Sequence, residues 1–152
     1  METPTAGYLI WRLSMRYRAA VDRAVAPYGI THAQYSLLAS LYGLSRNGAR
    51  PSQRELADVT GLEAIYVSKL ARALERGGLV ERRDHPRDPR AVELRLTGQG
   101  EQVARQAIDT VRRLQEELAA PLGGTGSPRY RTLIETLRAL LGEHDPEPGE
   151  PS

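Results

Sequence analysis

The chain of 152 residues contains no cysteine, no phenylalanine and only one tryptophan. Without cysteine it forms no disulfide, no thiolate metal site and no thiol-based redox switch. Aliphatic side chains must therefore supply most of the buried core. No apolar run approaches the roughly 18 residues of a membrane-spanning helix, so no membrane partner is expected. The N-terminus lacks the basic start and the small-residue cleavage site of a signal peptide, which predicts a cytoplasmic protein.

The net charge is only +2, but the charges are unevenly distributed. Residues 1–49 carry five basic and two acidic side chains, residues 50–96 carry ten and eight, and residues 97–152 carry six and nine. The front two thirds are therefore basic and the last third is acidic, which weakly favours an anionic partner. Lys69 is the one lysine among the 21 cations. The others are arginines, whose planar guanidinium groups suit phosphates and guanines.

Apolar spacing and capping motifs predict a mainly helical chain. A first helix is predicted over residues 8–26, and a Thr-x-x-Gln capping box at Thr31 opens a second helix that ends near residue 43. Two further helices are predicted over residues 98–120 and 129–141. The remaining C-terminal segment has no apolar residue and is predicted to be disordered.

The middle of the chain shows a short capped helix, a tight turn and a second helix. Ser52 opens a Ser-x-x-Glu capping box and a short helix in which Val59 is predicted to face inward. The pair Thr60-Gly61 then provides a turn before a helix over residues 63–76. This order is typical of a helix-turn-helix, whose second helix fits the major groove of DNA, about 12 Å wide.

A β-hairpin is predicted directly after the helix-turn-helix. Its strands are residues 79–83 and 92–96, and alternate residues of the second strand are apolar. The loop 84–91 is rich in arginine and is stiffened by Pro86 and Pro89. A hairpin in this position is the wing of a winged helix-turn-helix. The sequence therefore predicts a mainly α fold with a small β-hairpin wing.

The outward-facing side chains of this segment form a candidate DNA-binding surface. A helix N-terminus offers N–H groups to a phosphate, the second helix offers cations to guanines, and a wing-tip arginine can enter the minor groove. The candidate residues are Ser52, Gln53, Arg54, Ile65, Tyr66, Ser68, Lys69, Arg72, Arg87, Asp88 and Arg90. Asp88 is placed to brace the guanidinium of Arg90. The alternative is a solvated helix face beside an ordinary surface hairpin, whose exposed ion pairs contribute little stability.

The central segment resembles the MarR family of bacterial transcriptional regulators. The shared runs are "ELADVTGL", "VSKLARALERGGLVER" and "DPRAVELRLTGQG", the last of which matches the wing signature of the family. In this match Arg90 occupies the wing-tip arginine position, and Asp88 is its partner. The close match covers about residues 50–100. Glu63 stands where the family commonly has a small hydroxyl residue, which puts one phosphate contact in question.

The resemblance implies a fold, an assembly and a function. It implies a winged helix-turn-helix over residues 31–97, flanked by N- and C-terminal dimerisation helices in residues 8–28 and 98–141. The tail over residues 142–152 is predicted to be disordered from its composition, not from the resemblance. It further implies a homodimer that binds a pseudo-palindromic operator in double-stranded DNA, usually to repress transcription. In the family, small aromatic ligands bind beside the DNA-binding core and release the DNA.

The terminal helices provide separate evidence for a dimer. Leu133, Leu137 and Leu141 lie on an apolar stripe that a winged helix of roughly 50 residues cannot cover, whereas a two-fold partner could. The alternative is an intramolecular helical bundle.

A candidate ligand pocket is formed by aromatic and basic residues of the first two helices, and its alternative is core or dimer packing. These residues are Trp11, Arg12, Tyr17 and Tyr35, joined by Tyr8.

No enzyme activity and no cofactor are expected. His32, His85 and His144 stand far apart without an i,i+4 partner, and neither a phosphate loop nor a nucleophile elbow is present. Two other functions stay open. One is a winged-helix protein-interaction module without DNA binding, favoured by the modest charge of the central segment. The other is a small-molecule binder or enzyme that uses the tyrosine-lined pocket.

Overall fold

The computed structural model describes residues 3–88 and 91–143. Within them the chain forms mainly helices and one two-stranded antiparallel sheet, as predicted. In chain order the elements are α1 (Ala6–Val25), α2 (His32–Ser45), α3 (Gln53–Thr60), α4 (Ala64–Arg76), β1 (Val80–Asp84), β2 (Val92–Leu96), α5 (Gly98–Ala119) and α6 (Pro128–Leu141). The chain divides into two compact units, Met1–Val111 and Arg112–Ser152, and each is described by itself.

Side-chain caps explain where most helices begin. Thr31 forms the predicted capping box, because its Oγ1 accepts from the Gln34 N–H at 3.2 Å and its own N–H donates to Gln34 Oε1 at 2.9 Å. Ser52 accepts from the Glu55 N–H at 3.1 Å and so starts α3. Helix α2 extends to Ser45, beyond its predicted end near residue 43, since a glycine within a helix lowers its stability without ending it.

The core of the first unit is aliphatic. Among the described residues, the buried hydrophobic side chains include no aromatic ring. The largest fully buried ones are Leu37, Leu38, Leu41, Leu56, Leu74 and Leu94. The inward orientation predicted for Val59 is wrong, because its side chain is 59% exposed. Thr60 takes the inward position instead, since it follows Leu56 by four residues and lies on the same helix face.

The hairpin pairs Val80 with Leu96 at its base and Asp84 with Val92 near its tip. Leu94 is buried and Arg95 is exposed, in line with the predicted alternation of β2, whereas Val92, Glu93 and Leu96 are all half-buried. Strand β1 begins and ends one residue later than predicted. The hairpin base is fastened to α5 through Thr97, whose N–H donates to the Leu79 carbonyl at 3.0 Å.

The second unit contains the end of α5, a 3-10 turn (Ala120–Leu122) and α6. Glu116 accepts hydrogen bonds from the hydroxyl and the N–H of Thr125, and these bonds lower the pKa of the Glu116 carboxyl. Helix α6 buries none of its residues, and Leu140 and Leu141 are 66% and 74% exposed. The disordered tail predicted for residues 142–152 lies, from residue 144 onward, outside the described residues.

Across the described part of the chain, no helix combines the length and apolarity needed to cross a membrane.

Candidate DNA-binding surface

The turn between α3 and α4 depends on Gly61. Its φ of 71° lies in the left-handed region, which a residue with a side chain rarely adopts. Its N–H donates to the Ala57 carbonyl at 2.9 Å, and the Thr60 hydroxyl donates to the Leu56 carbonyl at 2.6 Å. These bonds close the end of α3 and redirect the chain into α4. The predicted Thr60-Gly61 turn is therefore present.

The N-terminus of α3 is held against the hairpin. Ser52 forms a β-bridge with Glu93 of β2, and the Leu94 N–H donates to the Pro51 carbonyl at 3.0 Å. Next to this contact, Gln53 is half-buried and its Nε2 is buried without a hydrogen-bond partner among the described residues. Arg54 is exposed. The start of α3 thus presents one exposed cation, whereas the Gln53 amide donor is covered by the protein.

Helix α4 has one buried and one exposed face. Its buried residues are Val67, Leu70, Ala71 and Leu74. On the other face Ile65 is 73% exposed and Tyr66 is 40% exposed, Lys69 and Arg72 are exposed, and Ser68 is half-buried. In the described part of the chain neither Lys69 nor Arg72 forms an ion pair with a carboxylate. The two cations are therefore available to an external anion.

The N-terminus of α4 differs from that of the other capped helices. Glu63 is the N-cap residue, and its side chain makes no capping hydrogen bond. A short hydroxyl side chain at this position would accept a first-turn N–H. The first-turn N–H groups of α4 thus have no side-chain acceptor at the N-cap position.

The tip of the hairpin is organised by His85. Its Nδ1 accepts hydrogen bonds from the N–H groups of Arg87 and Asp88, both at 3.1 Å. Its Nε2 lies 3.6 Å from Oε1 of Glu93 on the opposite strand. The two ring nitrogens thus face different partners: Nδ1 faces the loop backbone and Nε2 faces the carboxylate. One imidazole thereby connects the loop to β2.

His85 was not among the residues that the sequence predicted to be functional. The spacing of the residues could have indicated this role. His85 precedes Arg87 and Asp88 by two and three residues, and an acceptor side chain at that distance commonly binds the backbone N–H groups of a tight turn. Arg87 at the same tip is exposed. Arg90, the predicted minor-groove arginine, lies outside the described residues, as does its predicted contact with Asp88.

The predicted ligand-pocket residues fall into two groups. Near the start of α1, the Tyr8 and Trp11 rings stack with centroids 6.4 Å apart, and the Arg12 guanidinium lies 5.7 Å from the Tyr8 ring centre. Trp11 is 60% exposed. Further along, the Tyr17 ring contacts the His32 ring edge-on at 6.1 Å.

His32 is the one ring of this second group that can titrate near neutral pH. Burial lowers its pKa, although the Asp22 carboxylate opposes that shift. The backbone N–H of His32 also donates to Asp22 Oδ1 at 2.7 Å. Tyr35 is half-buried on α2, the helix that begins with His32.

Known proteins are similar to this chain in sequence. A model described as the MarR family matches residues 28–91. YdcH of Bacillus subtilis (strain 168), an uncharacterised HTH-type transcriptional regulator, is 31% identical over 114 residues, which are 75% of this chain and 78% of that protein.

Solved structures are similar in fold. One is a complex of S. aureus MepR with DNA, which has a TM-score of 0.82 and 23% identity and covers 92% of this chain and 98% of that one. Another is a mutant MarR of E. coli complexed with operator DNA, with a TM-score of 0.76 and 27% identity over 89% of this chain and 92% of that one. These similarities show a winged-helix fold.

Proposed function

This chain belongs to the MarR family of transcriptional regulators, and from that premise we propose that it is a homodimeric repressor that binds a pseudo-palindromic operator in double-stranded DNA. It is a regulator and not an enzyme. We place its action in the bacterial cytoplasm. The observation that carries the proposal is the exposed face of α4, on which Lys69 and Arg72 stand without ion-pair partners among the described residues.

The chemistry of this face suits a major groove. Lys69 and Arg72 donate to guanine or to phosphate, and Ile65 offers an apolar side chain to a thymine methyl group. Arg54, exposed at the start of α3, adds a donor for the DNA backbone. The E. coli MarR of similar fold is complexed with operator DNA, which supports the same partner for this chain.

The exposed apolar side chains of the terminal helices support a homodimer. In the first unit α1 exposes Leu9, Ile10, Leu13 and Met15 between 45% and 53%, and in the second unit α6 exposes Leu140 and Leu141 still more. Large apolar surfaces of this kind mark interaction sites in soluble proteins. A two-fold dimer presents two copies of α4, so we expect half-sites about one helical turn apart, roughly 10 bp.

Release by a small aromatic ligand is the second part of the proposal. Tyr8, Trp11 and Arg12 form an aromatic and cationic group on α1, and Tyr17 and His32 form another where α1 faces α2. Rings and a guanidinium suit an aromatic acid, because the cation pairs with its carboxylate. A ligand that binds the DNA-free state better than the DNA-bound state lowers operator affinity.

The proposal is tested by DNA binding of the wild type and of the double variant Lys69→Ala/Arg72→Ala. The probe is a fluorescent duplex from the DNA upstream of the protein's own gene, titrated by anisotropy at several salt concentrations. The wild type should bind with an affinity that falls steeply as salt rises. The variant should bind about tenfold more weakly or worse, since each lost base contact weakens binding by about 1–3 kcal/mol.

A matched control is Arg23→Ala/Arg105→Ala, which removes two exposed cations outside α3, α4 and the hairpin. It should bind DNA like the wild type. Equal losses in both double variants would assign the effect to net charge and remove the role of α4. A protein partner bound in stoichiometric amounts, with no duplex bound at low salt, would favour the protein-interaction module instead.

A further inference from the structure

A cleft of about 480 Å³ lies on the first unit, away from the exposed face of α4. The last turn of α2 and the loop after it form one side, β2 forms another, and the first turn of α5 closes the end. Gly48, with a φ of 75°, lies in the loop that lines the cleft. The volume lies in the range of about 300–1,000 Å³ that is common for small-molecule sites.

Three arginines and one carboxylate line this cleft: Arg46, Arg50, Arg95 and Glu101. Among the described residues, none of the three guanidinium groups forms an ion pair. Glu101 lies 3.8 Å from Arg105 instead. Cations held close together without a counter-charge repel one another, and a bound anion would relieve that repulsion.

The arginines are placed by neighbouring structure. The Arg46 guanidinium lies 5.9 Å from the centre of the Tyr42 ring, in a cation–π arrangement. Arg95 extends from β2, where its cross-strand neighbour Glu81 is paired with Arg83 at 3.3 Å. Arg50 directly precedes Pro51, whose carbonyl is bonded to β2. The Arg46 side chain is therefore oriented before any ligand binds, and the backbone positions of Arg50 and Arg95 are set by the pairing of β2.

We propose that this cleft binds a small anion with two or more negative charges, of the phosphorylated or polycarboxylate class. Guanidinium groups bind such oxygens in bidentate pairs. The hydroxyls of Tyr42 and Ser45, also on the cleft wall, add donors for the remaining oxygens. The cleft is separate from the aromatic groups of α1, and its ligand chemistry differs from that of an aromatic acid.

Phosphate groups of flanking DNA have the same chemistry and are the competing source. A small anion fits within the volume of the cleft, whereas a duplex is too large to enter it. The experiment therefore measures anion binding by the DNA-free protein, so its outcome does not depend on the proposed operator binding.

The probe is inorganic pyrophosphate, titrated calorimetrically into the full chain, with sodium chloride holding the ionic strength constant. We expect saturable binding at one site per chain. The double variant Arg46→Gln/Arg50→Gln should bind at least about tenfold more weakly, because two charge-assisted contacts are lost. The control Arg16→Gln/Arg23→Gln removes two exposed cations from α1 and should bind like the wild type.

Thermal unfolding of each variant without pyrophosphate verifies that it is folded. Saturable binding that only the Arg46→Gln/Arg50→Gln variant loses supports the proposal, whatever that variant does to DNA affinity. Absence of saturable binding to the wild type overturns it, as does equal binding by the two variants. Weaker DNA binding by the Arg46→Gln/Arg50→Gln variant, with no pyrophosphate bound by the wild type, would assign the arginines to DNA phosphates.

Discussion

His85 connects the backbone of the hairpin tip to the opposite strand through a single ring. Its Nδ1 accepts from two backbone N–H groups, and its Nε2 faces Glu93. These contacts reduce the number of conformations that the loop can adopt. A loop that is ordered before binding loses less entropy when it meets DNA. We therefore propose that the histidine supports the wing through the loop backbone and not through a contact with DNA.

Replacing His85 with phenylalanine should weaken operator binding by about three- to tenfold, because two backbone hydrogen bonds lose their acceptor. His85→Asn retains an acceptor oxygen of the kind that binds nearby backbone N–H groups, and it should bind DNA more tightly than His85→Phe. Anisotropy titration with the operator duplex measures both. Equal affinities for the two variants would show that the acceptor has no role.

Gly100 is the second residue whose identity the structure explains. A Cβ atom at this position would overlap the carbonyl oxygen of Leu79, a backbone atom that cannot rotate away. At Gly98, two residues earlier at the start of the same helix, a Cβ atom would meet nothing within 4 Å. The two glycines of the "TGQG" run therefore differ in function. Gly100 permits the close approach of the Leu79 carbonyl, whereas no atom approaches Gly98 closely.

Gly100→Ala should lower the free energy of unfolding by about 1–3 kcal/mol, the range of overpacking substitutions. Gly98→Ala serves as the control and should leave that free energy unchanged or slightly raised, since alanine favours the helix. Urea denaturation followed by circular dichroism measures both. A stability of Gly100→Ala equal to that of the control would contradict the close contact.

At the scale of elements, we propose that the hairpin is the part whose function depends most on a single side chain. Its outer face carries Glu81 and Arg83 on β1 and Glu93 and Arg95 on β2. Opposite charges alternate there, so the hairpin has little net positive charge. Its attraction to DNA must therefore come from where an individual arginine is held.

Arg90→Ala should weaken operator binding by about tenfold or more, because the residue matches the wing-tip arginine that enters the minor groove. Light scattering should give the wild-type mass and thermal unfolding the wild-type midpoint, which separates a lost contact from a lost fold. Arg87→Ala, which removes an exposed cation from the same tip, is the comparison. Unchanged operator affinity for Arg90→Ala would remove the wing assignment.

Much of the element pattern was predictable from local chemistry. The Thr31 box and the Ser52 cap place the starts of α2 and α3 correctly, because each depends on residues three positions apart. The alternation of β2 predicts both of its ends correctly. Val59 was predicted wrongly because an eight-residue helix has too few apolar positions to define its buried face.

The candidate site was less predictable than the fold. The exposed residues of α4 follow from helical periodicity. The His85 contacts depend on how a folded loop turns back on itself, which residue spacing alone does not determine. The cleft of Arg46, Arg50 and Arg95 joins a loop and a strand that lie more than 40 residues apart in sequence. Tertiary packing brings these arginines together, and neither periodicity nor a local motif predicts that placement.

At the scale of the whole molecule, we propose that a second chain covers the exposed apolar residues of the terminal helices. Helix α6 buries none of its own residues in the single chain. Leu141 is 74% exposed, so a charged residue at this position would lower the stability of a monomer only slightly. The same residue would be costly if a second chain covered it, because an unpaired charge would then lose its hydration.

Leu141→Glu should therefore shift the protein from dimer to monomer, measured as molar mass by light scattering over a range of concentrations. Thr132→Glu is the control, because Thr132 is exposed and lies nine residues earlier, on the opposite face of α6. The control should remain dimeric. A monomeric wild type would contradict the dimer, and equal dissociation of both variants would remove the assignment of this face of α6.

The joint between the hairpin base and the first turn of α5 has a mechanical consequence. The Thr97 hydroxyl donates to the Gly78 carbonyl at 2.6 Å and accepts from the Gly100 N–H at 3.0 Å, next to the close approach of Gly100 to Leu79. With no compressible side chain at this point, a tilt of the first turn of α5 must displace the base of the wing. If α5 tilted in this way, the wing would turn with it, and the tip of the wing would travel farther than its base.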